Sequence, residues 1–367
     1  MPMRSSIYLL AFVFFASSWA VRSQDTHFTL HDYNPLWLNP AQTGGFNGSA
    51  RIGGIYRGQW YSINGINTPS AYVDAPIIRG LRKYDWIGVG ANLISDKSGV
   101  GSSIALQSTY FGFSAAYHLA LDDKRRNVIT LGAQYGSTTY SLEIEPGTLV
   151  EQITIDPSLG GGGLSQGELR PNGTGGGDGE SYNDINAGIM LRSLIDPRRN
   201  NTFEAGLALY HLNGPKRNTL LTPSTDTIGG VPPTGPRAGD DERRRRATLH
   251  AHARLDLEMN DKWRFQPTVF LQSSAAVTSV SLQAWGSRAL KPDLDLRLGL
   301  GYRTADAAQV LVGMDFDRLR AALSYDITLS QARNITNYQG SFEISAAYVI
   351  NIYKKPTVVP TMLCPKI

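Results

Sequence analysis

The chain has 367 residues, enough for one large barrel or two ordinary domains. Apolar residues make up 41% of it, the mean hydropathy is −0.21 and the formal net charge is +4. This modest charge and the lack of a recognition motif argue against a nucleic-acid-binding protein. The single cysteine, Cys364, excludes an intramolecular disulfide and a four-cysteine metal site, and we interpret it as an unpaired thiol.

The first 23 residues have the pattern of a secretory signal peptide. Arg4 precedes an apolar run at residues 7–15, and small residues follow up to Ser23. A membrane anchor helix is the weaker interpretation, because the run is shorter than the roughly 20 residues that a spanning helix needs. We therefore predict that residues 1–23 direct export and that the mature chain crosses any membrane with strands.

Residues 49–353 alternate apolar and polar side chains over many short segments. In residues 248–258, Leu249 and Leu255 share one face, and Arg254 and Asp256 share the other. Many such segments of roughly 9–11 residues are typical of a barrel with lipid outside and a polar interior. The predicted strands lie near residues 50–60, 69–78, 84–95, 105–120, 127–143, 183–195, 202–213, 246–259, 262–273, 277–289, 294–304, 308–316, 318–329 and 339–353.

This pattern predicts an all-β fold, a single antiparallel transmembrane β-barrel of about 14 strands, with 12 to 16 possible. The lengths of the connections support an even count. If the first strand runs outward, every connection after an even-numbered strand is short, as periplasmic turns usually are. The two longest connections, residues 144–182 and 214–245, both follow odd-numbered strands and therefore fall outside the cell.

The residue types give little indication of catalysis. His250 and His252 share a strand face and could begin a metal site, but a polar lumen wall is the favoured interpretation. The sequence has no Gly-x-Ser-x-Gly motif of a nucleophile elbow. None of its glycine pairs lies between a strand and a helix, as a phosphate-binding loop requires. We therefore predict no enzyme activity, no cofactor and no metal. Aromatic residues near strand ends predict an interfacial girdle that includes Trp60, Tyr61, Tyr84, Trp86, Trp263, Trp285 and Tyr353.

Residues 24–48 form an Asn- and Pro-rich segment that does not suit a strand, because each proline removes a backbone donor. We expect this segment to fill the lumen or to seal the periplasmic mouth of the barrel. Residues 354–367 form a C-terminal tail. The long connection at residues 144–182 is rich in glycine, and the one at residues 214–245 ends in a run of arginines. That run is either a contact for an acidic partner or a solvated loop stem.

Four motifs resemble those of the PorP/SprF family of outer-membrane proteins, which is linked to type IX secretion and gliding motility in Bacteroidota. They are the Asn-Pro, Asn-Pro-Ala and Gly elements of residues 34–44, Tyr-Arg-x-Gln-Trp at 56–60, Gly-Ser-Phe-Glu-Ile at 340–344 and Cys-Pro at 364–365. Together the motifs bracket nearly the whole mature chain. The last strand departs from many such barrels, because a tail follows it where the chain commonly ends on an aromatic residue.

The resemblance implies an outer-membrane component of type IX secretion. It would partner or anchor secreted adhesins or cargo with C-terminal sorting domains, or tether periplasmic parts of the apparatus. The rival interpretations are a diffusion porin or transport channel and a membrane-embedded hydrolase. The expected partner contacts are Asn34, Pro35, Asn39, Pro40, Arg57, Gln59, Trp60, Arg243, Arg244, Arg245 and Arg246.

Overall fold

A computed structural model describes residues 26–61, 65–80, 84–100, 104–144, 180–216, 244–274, 277–336 and 338–352. Fourteen strands lie within these ranges. They are β1 (Ala50–Gln59), β2 (Ile66–Arg79), β3 (Trp86–Ser98), β4 (Ile104–Ala120), β5 (Asn127–Ile144), β6 (Glu180–Asp196), β7 (Asn201–Tyr210), β8 (Thr248–Asn260), β9 (Trp263–Ser274), β10 (Val277–Lys291), β11 (Leu294–Arg303), β12 (Ala307–Phe316), β13 (Leu319–Thr328) and β14 (Gln339–Ile350).

The strands form one closed antiparallel barrel in which each strand pairs with its neighbours in sequence. Closure comes from the pairing of β1 with β14, which runs from Ala50 opposite Ile350 to Gln59 opposite Ser341. Closure satisfies the backbone donors and acceptors that would otherwise face hydrocarbon unpaired. The predicted fold class and the count of 14 strands are confirmed.

The two faces of the wall differ as the alternation predicts. On β11, Leu298 and Leu300 are on the outer surface and are 57% and 68% exposed. Arg297 on the same strand points into the lumen and is only 4% exposed. The same alternation recurs on β13, where Leu323 lies outside and Ser324 inside. A wall of this kind presents an apolar belt to the bilayer and a polar surface to the lumen.

The two longest connections lie at the same end of the barrel. The connections after even-numbered strands span two to six residues, and we call their side the short-turn end. The connections after β5 and β7 cover residues 145–179 and 211–247, and we call their side the long-loop end. This separation is the one that the sequence predicts for a barrel with long loops outside the cell.

Asp122 shapes the turn between β4 and β5 at the short-turn end. Its carboxylate accepts hydrogen bonds from the backbone N–H groups of Lys124, Arg126 and Asn127 at 2.8–3.0 Å. The bond from Arg126 is the strongest of the influences that lower the pKa of Asp122. The carboxylate therefore fixes the turn by substituting for backbone acceptors.

The core lies inside the barrel and includes residues 26–49, which we call the plug. The plug contains two 3₁₀ turns, His31–Tyr33 and Pro40–Gln42, on either side of a short helix α1 (Pro35–Leu38). A second short helix, α2 (Arg333–Thr336), connects β13 to β14. None of the helices in the described ranges is long and apolar enough to cross a membrane.

Two of the predicted girdle aromatics face the lumen, so the girdle prediction is wrong for them. Trp86 stacks on the buried His118 ring at 4.4 Å, and its Nε1 donates to the Gly44 carbonyl at 3.0 Å. Trp285 is buried with the Arg297 guanidinium 4.9 Å from its ring centroid. Both residues occupy inward positions of the alternation, and proximity to a strand end does not distinguish a lipid-facing from a lumen-facing aromatic.

We expect a polarity-sensitive dye to distinguish the two faces of the wall. In a Cys364→Ser background, the dye on Leu298→Cys should emit as in hydrocarbon and be quenched by spin-labelled lipid chains. The same dye on Asp315→Cys, a lumen position on β12, should be quenched by aqueous iodide instead. Fluorescence of the protein in lipid vesicles measures both, and the reverse pattern would contradict the architecture.

Candidate functional site

The plug runs through the lumen along the barrel. Thr29 contacts wall residues near the long-loop end, and Gly44 contacts wall residues near the short-turn end, just before β1 begins. The side chains of Asn34 and Asn39 between them are 0% exposed. The lumen is therefore filled over most of its length by the chain's own N-terminal segment.

Glu343 on β14 holds the plug near the long-loop end. Its two carboxylate oxygens accept hydrogen bonds from the backbone N–H groups of Thr29 and Leu30, each at 2.7 Å. Arg57 on β1 donates to the same carboxylate at 2.6 Å. A buried carboxylate loses its hydration, and hydrogen bonds and an opposite charge must replace it. Here Arg57 on β1 and two backbone N–H groups of the plug provide them together.

Asp326 on β13 makes a second attachment beside the first. It accepts from the Thr29 hydroxyl at 2.8 Å, from Arg303 at 2.7 Å and from the Ser341 hydroxyl at 2.8 Å. All four residues are buried. The Arg57 guanidinium lies 3.9 Å from Asp326, so the two carboxylates and two arginines form one cluster around the plug, and Arg303 also pairs with Asp306 at 2.5 Å.

Asn39 is the central hydrogen-bonding residue of the plug. Its side-chain amide donates to the carbonyl oxygens of Ile189 on β6 at 3.2 Å and Leu207 on β7 at 3.3 Å. Its side-chain oxygen accepts from the Ala41 N–H at 2.9 Å and caps the second 3₁₀ turn. Pro35 and Pro40 each occupy the first turn of a short helix, where a backbone N–H is not needed.

The histidines on β8 contact the plug. His250 Nδ1 lies 3.2 Å from the Leu38 carbonyl oxygen, and His252 Nε2 lies 3.2 Å from the Asn39 amide nitrogen. Their positions on one strand face thus serve packing and hydrogen bonding inside the lumen. No group of three or more His, Cys, Asp or Glu side chains suited to a metal ion occurs within the described ranges.

Inward-facing glycines let the plug approach the wall closely. Three of them, Gly88, Gly132 and Gly188, lie on β3, β5 and β6 beneath the second half of the plug. A Cβ added to Gly132 would lie 2.6 Å from the Ala41 Cα, and one added to Gly188 would lie 3.0 Å from the Asn39 Cγ. Any larger residue here would push the plug off the wall.

The plug ends in a second set of contacts near the short-turn end. Asp74 on β2 accepts from the Gly44 N–H at 2.7 Å and from Arg51 at 2.8 Å. His118 Nε2 lies 2.8 Å from the Thr43 carbonyl oxygen. The plug is therefore attached at both ends, and its central section is bonded to strands on the opposite side of the lumen from β1.

A further ion-pair cluster lies beside the middle of the plug. Arg254 on β8 lies 3.6 Å from Asp32 of the plug and 3.2 Å from Glu204 on β7. Arg192 on β6 pairs with the same Glu204 at 2.8 Å. Positive and negative groups alternate, so the lumen contains many charges without a strong net field.

The structure separates the expected partner contacts into two groups. Asn34, Pro35, Asn39 and Pro40 belong to the buried plug, and Arg57 bonds to Gln59 at 3.3 Å on the inner face of β1. Trp60 follows β1 at the long-loop end with a positive φ of 54°. Apart from Trp60, these residues contact the barrel's own interior, and the partner role of the whole group stays a prediction.

The arginines form the second group, on the far side of the barrel. Arg245, just before β8, donates to the Tyr140 hydroxyl at 2.7 Å and also bonds to Tyr182. Arg244 and Arg246 are exposed, and Arg243 lies outside the described residues. Since β1 and β8 lie seven strands apart in a ring of 14, Arg57, Gln59 and Trp60 do not meet these arginines.

Sequence reasoning missed several residues that hold the plug. Asp326 and Asp74 are ordinary polar positions in their strands, and nothing in the sequence connects them to residues 29 and 44. The glycines carried a usable signal, because each falls in the inward phase of its strand. Glycine at an inward position of a membrane strand is a sign of close backbone approach.

We expect Gly132→Ala to destabilise the folded protein, by about 1–3 kcal/mol, because the added methyl group overlaps the plug. The matched control is Gly286→Ala, where the nearest atom, the Leu298 carbonyl oxygen, is 3.9 Å from the added Cβ. Urea unfolding of both variants in lipid vesicles measures the difference. Equal midpoints would show that the plug does not rest on this glycine.

We expect Glu343→Gln to loosen the plug near the long-loop end, because the amide cannot accept from both backbone groups and pair with Arg57. Removing one partner of a buried pair typically costs about 3–5 kcal/mol. Hydrogen exchange followed by mass spectrometry should show faster exchange at Thr29 and Leu30. Asp315→Asn, a lumen change away from these contacts, should leave those amides protected.

Comparison with solved structures relates the architecture to outer-membrane barrels. The toluene transporter TodX of Pseudomonas putida is 12% identical, with a TM-score of 0.50 over 86% of this chain and 93% of that one. The toluene transporter TbuX of Ralstonia pickettii is 13% identical, with a TM-score of 0.45 over 88% and 94% of the two chains. At these identities the likeness concerns the fold alone. No curated protein matches the chain.

The profile of the family described as "Type IX secretion system membrane protein PorP/SprF" matches residues 20–348. This range contains the plug and all but the end of the last strand. The resemblance seen in the sequence motifs is thereby confirmed over nearly the whole chain. The chain belongs to the PorP/SprF family of type IX secretion system membrane proteins and is an outer-membrane β-barrel.

Proposed function

We propose that this chain is a non-enzymatic outer-membrane partner that anchors a secreted cell-surface protein at its long-loop end. The family membership supports a place in type IX secretion, and an adhesin or a cargo protein with a C-terminal sorting domain is the expected partner. The barrel acts as a rigid frame in the membrane. The loops and strand ends outside the bilayer provide the polar and aromatic contacts.

The filled lumen is the observation that most favours this role over transport. A diffusion porin needs a continuous water-filled path, and its lumen is correspondingly open. Here the plug is bonded to the wall at Glu343, at the backbone of β6 and β7 and at Asp74. A barrel closed in this way is better suited to holding a protein than to passing solutes.

Exposed aromatic and apolar residues at the long-loop end support a protein contact there. Tyr61 and Tyr338 are 59% and 57% exposed, and Leu329 is also exposed. The Trp60 N–H donates to the Gly340 carbonyl oxygen at 3.1 Å, which places these residues around the seam between β1 and β14. Tyrosine and tryptophan are enriched in protein interfaces.

A second candidate role, a tether for periplasmic parts of the apparatus, is favoured by exposed basic residues in two neighbouring turns of the short-turn end. Lys124 and Arg125 are exposed in the turn after β4, and Arg198 and Arg199 are exposed in the turn after β6. The two turns are neighbours because β5 pairs with β6. Asp122 and Asp196 next to them are engaged in capping backbone N–H groups.

Photo-crosslinking at defined positions tests which end binds the partner. A photoreactive amino acid at Tyr338 should capture an exported adhesin or sorting-domain protein in outer membranes, identified by mass spectrometry. One at Arg199 would capture a periplasmic protein if the tether role holds, and one at Leu298 should capture lipid only. Adhesin capture at position 338 should fall with Tyr61→Ser combined with Arg246→Ser at unchanged barrel level. Capture of lipid alone at all three positions would contradict both roles.

Planar-bilayer conductance tests the porin alternative. The intact protein should show no steady large conductance, because the plug fills the lumen. Deletion of residues 24–45 should open a large, steady pore if the barrel still closes without the plug, which its mobility on semi-native gels reports. A large conductance in the intact protein that the deletion leaves unchanged would favour a porin.

A further inference from the structure

A basic and aromatic cluster lies on the lipid-facing side of the wall, at the short-turn end of β9 and β10. Trp263 is the first residue of β9, and Arg288 lies directly opposite it on β10. The central carbon of the Arg288 guanidinium lies 5.5 Å from the centroid of the Trp263 ring. Both side chains are exposed. A guanidinium that rests on an aromatic ring is oriented by it and keeps its N–H groups for other partners.

The alternation on β10 assigns Arg288 to the outer surface. Leu282 of this strand is exposed on the outer surface, whereas Trp285 is buried in the lumen, so even-numbered positions face outward. β9, β10 and β11 all lie within the described ranges, and Arg288 is their one charged outward residue before the end of β10. The other outward residues are Trp263, Phe265, Pro267, Val269, Leu271 and Ser273 on β9, Thr278, Val280, Leu282, Ala284 and Gly286 on β10, and Leu294, Leu296, Leu298, Leu300 and Tyr302 on β11.

A β-bulge at the end of β10 brings a second cation to the same surface. Ala289 pairs with Asp295 of β11 and Lys291 pairs with Leu294, so Leu290 is an extra residue in β10. Without this extra residue, Lys291 would fall in the inward phase of the strand. The bulge instead places it opposite an outward position of β11, and bulges commonly redirect side chains in this way.

The turn between β8 and β9 adds a third basic residue. Asn260 Oδ1 accepts from the backbone N–H groups of Lys262 and Trp263, both at 3.0 Å. The Ala289 N–H donates to the Lys262 carbonyl oxygen at 2.9 Å, which fixes the turn beside the bulge. Lys262 and Lys291 are both exposed. Two lysines therefore flank the stacked ring and guanidinium.

Ion pairs do not neutralise these three basic residues. Among the described residues, Arg288, Lys262 and Lys291 form no ion pair, although Asp261 and Asp293 lie in the two adjoining turns. An arginine on the lipid-facing surface is costly at the middle of a bilayer and is tolerated at its edge, where it reaches the headgroups. The cluster therefore lies at the level of the headgroups and leaves its donors available to them.

A shallow groove leads from Arg288 toward the middle of the wall. The next two outward residues of β10 are Gly286 and Ala284, which are both small. Larger side chains lie on either side of Gly286, with Phe265 opposite it on β9 and Leu298 opposite it on β11. A Cβ added to Gly286 would lie 3.9 Å from the nearest atom, so the space above this glycine is open. A groove of this kind accommodates an acyl chain.

These features together select one class of lipid. A phosphate diester has two free oxygens, which match the paired N–H groups of a guanidinium. An interfacial tryptophan lies at the depth of the headgroups, beside such a phosphate. A zwitterionic headgroup would bring its own ammonium group against the two lysines, whereas an anionic headgroup would not. The surface belongs to the belt that faces the bilayer, so a lipid is the molecule that meets it.

We infer that Arg288, Trp263 and Lys291 form a site for the phosphate of an anionic glycerophospholipid in the periplasmic leaflet, with one acyl chain in the groove over Gly286. A lipid bound there holds this side of the short-turn end at the level of the headgroups. The inference goes beyond the proposed partner role. Capture of a partner at Tyr338 or Arg199 does not depend on it, so the two can fail separately.

Native mass spectrometry of the full-length protein released from detergent micelles tests the inference. Phosphatidylglycerol and phosphatidylethanolamine with the same acyl chains are supplied at equal concentrations, and phosphatidylglycerol should be retained preferentially. Arg288→Gln should reduce its retention about fivefold, and Arg288→Gln combined with Lys291→Gln should reduce it about 25-fold, because each basic residue contributes separately to the attraction for an anionic headgroup.

Two further variants assign the effect to this surface. Arg264→Gln is the matched control, because it removes the same charge at the same end from an inward position of β9 and should leave retention unchanged. Gly286→Leu fills the groove without altering any charge and should weaken the binding of the lipid but not of a free anion. The mobility of each variant on semi-native gels reports whether the barrel is folded.

Photo-crosslinking locates the bound lipid. Phosphatidylglycerol with a diazirine near the top of one acyl chain should label peptides that contain Phe265 or Ala284. The inference is overturned if phosphatidylethanolamine is retained equally well, if Arg288→Gln retains lipid as the wild type does, or if Arg264→Gln loses as much. It is also overturned if an excess of inorganic phosphate displaces the lipid, which would indicate an adventitious ion only.

Discussion

The need to pair every backbone donor and acceptor in hydrocarbon determines the rest of this structure. The pairing of β1 with β14 removes the free edges, and 14 strands then enclose a space too wide for wall side chains alone to fill. The chain fills that space with its own residues 26–49. The plug is in this sense a consequence of barrel size, since an interior this wide is either filled by protein or open to water.

The plug is held mainly by directional polar contacts. Buried ion pairs such as Arg57 with Glu343 and Arg303 with Asp326 contribute little net stability, because desolvation offsets the attraction. Such pairs do, however, make misplacement of the plug costly, because a shift would leave a buried charge unpaired. The inward glycines of β3, β5 and β6 also fix the position of the plug, because the plug backbone packs directly against them.

The sequence predicted the wall well and the interior poorly, for a physical reason. Side-chain alternation is a local property, so residues such as Leu298 and Arg297 reveal their faces without knowledge of any partner. Which wall residue meets which plug residue depends on closure across the ring. Glu343 and Thr29 are separated by 314 positions, and no local pattern connects them.

The difference between local alternation and contacts across the barrel also explains the individual errors and omissions in the sequence predictions. Trp86 begins β3 and Trp285 lies near the middle of β10, and the inward phase of the alternation assigns both to the lumen. Trp37 had no role in the sequence interpretation, because its partners His250 and Phe270 belong to β8 and β9. Giving the phase of each strand priority over the position along it would have placed Trp86 and Trp285 inside.

With the outer face committed to lipid and most of the inner face to the plug, little surface is left for recognition. What remains lies mainly at the two ends of the barrel. The two ends differ, because the two longest connections and the exposed Tyr61 and Tyr338 share one of them. A new binding specificity arises most readily where substitutions disturb neither backbone pairing nor plug contacts. The long-loop end is the part of this barrel that best meets that condition.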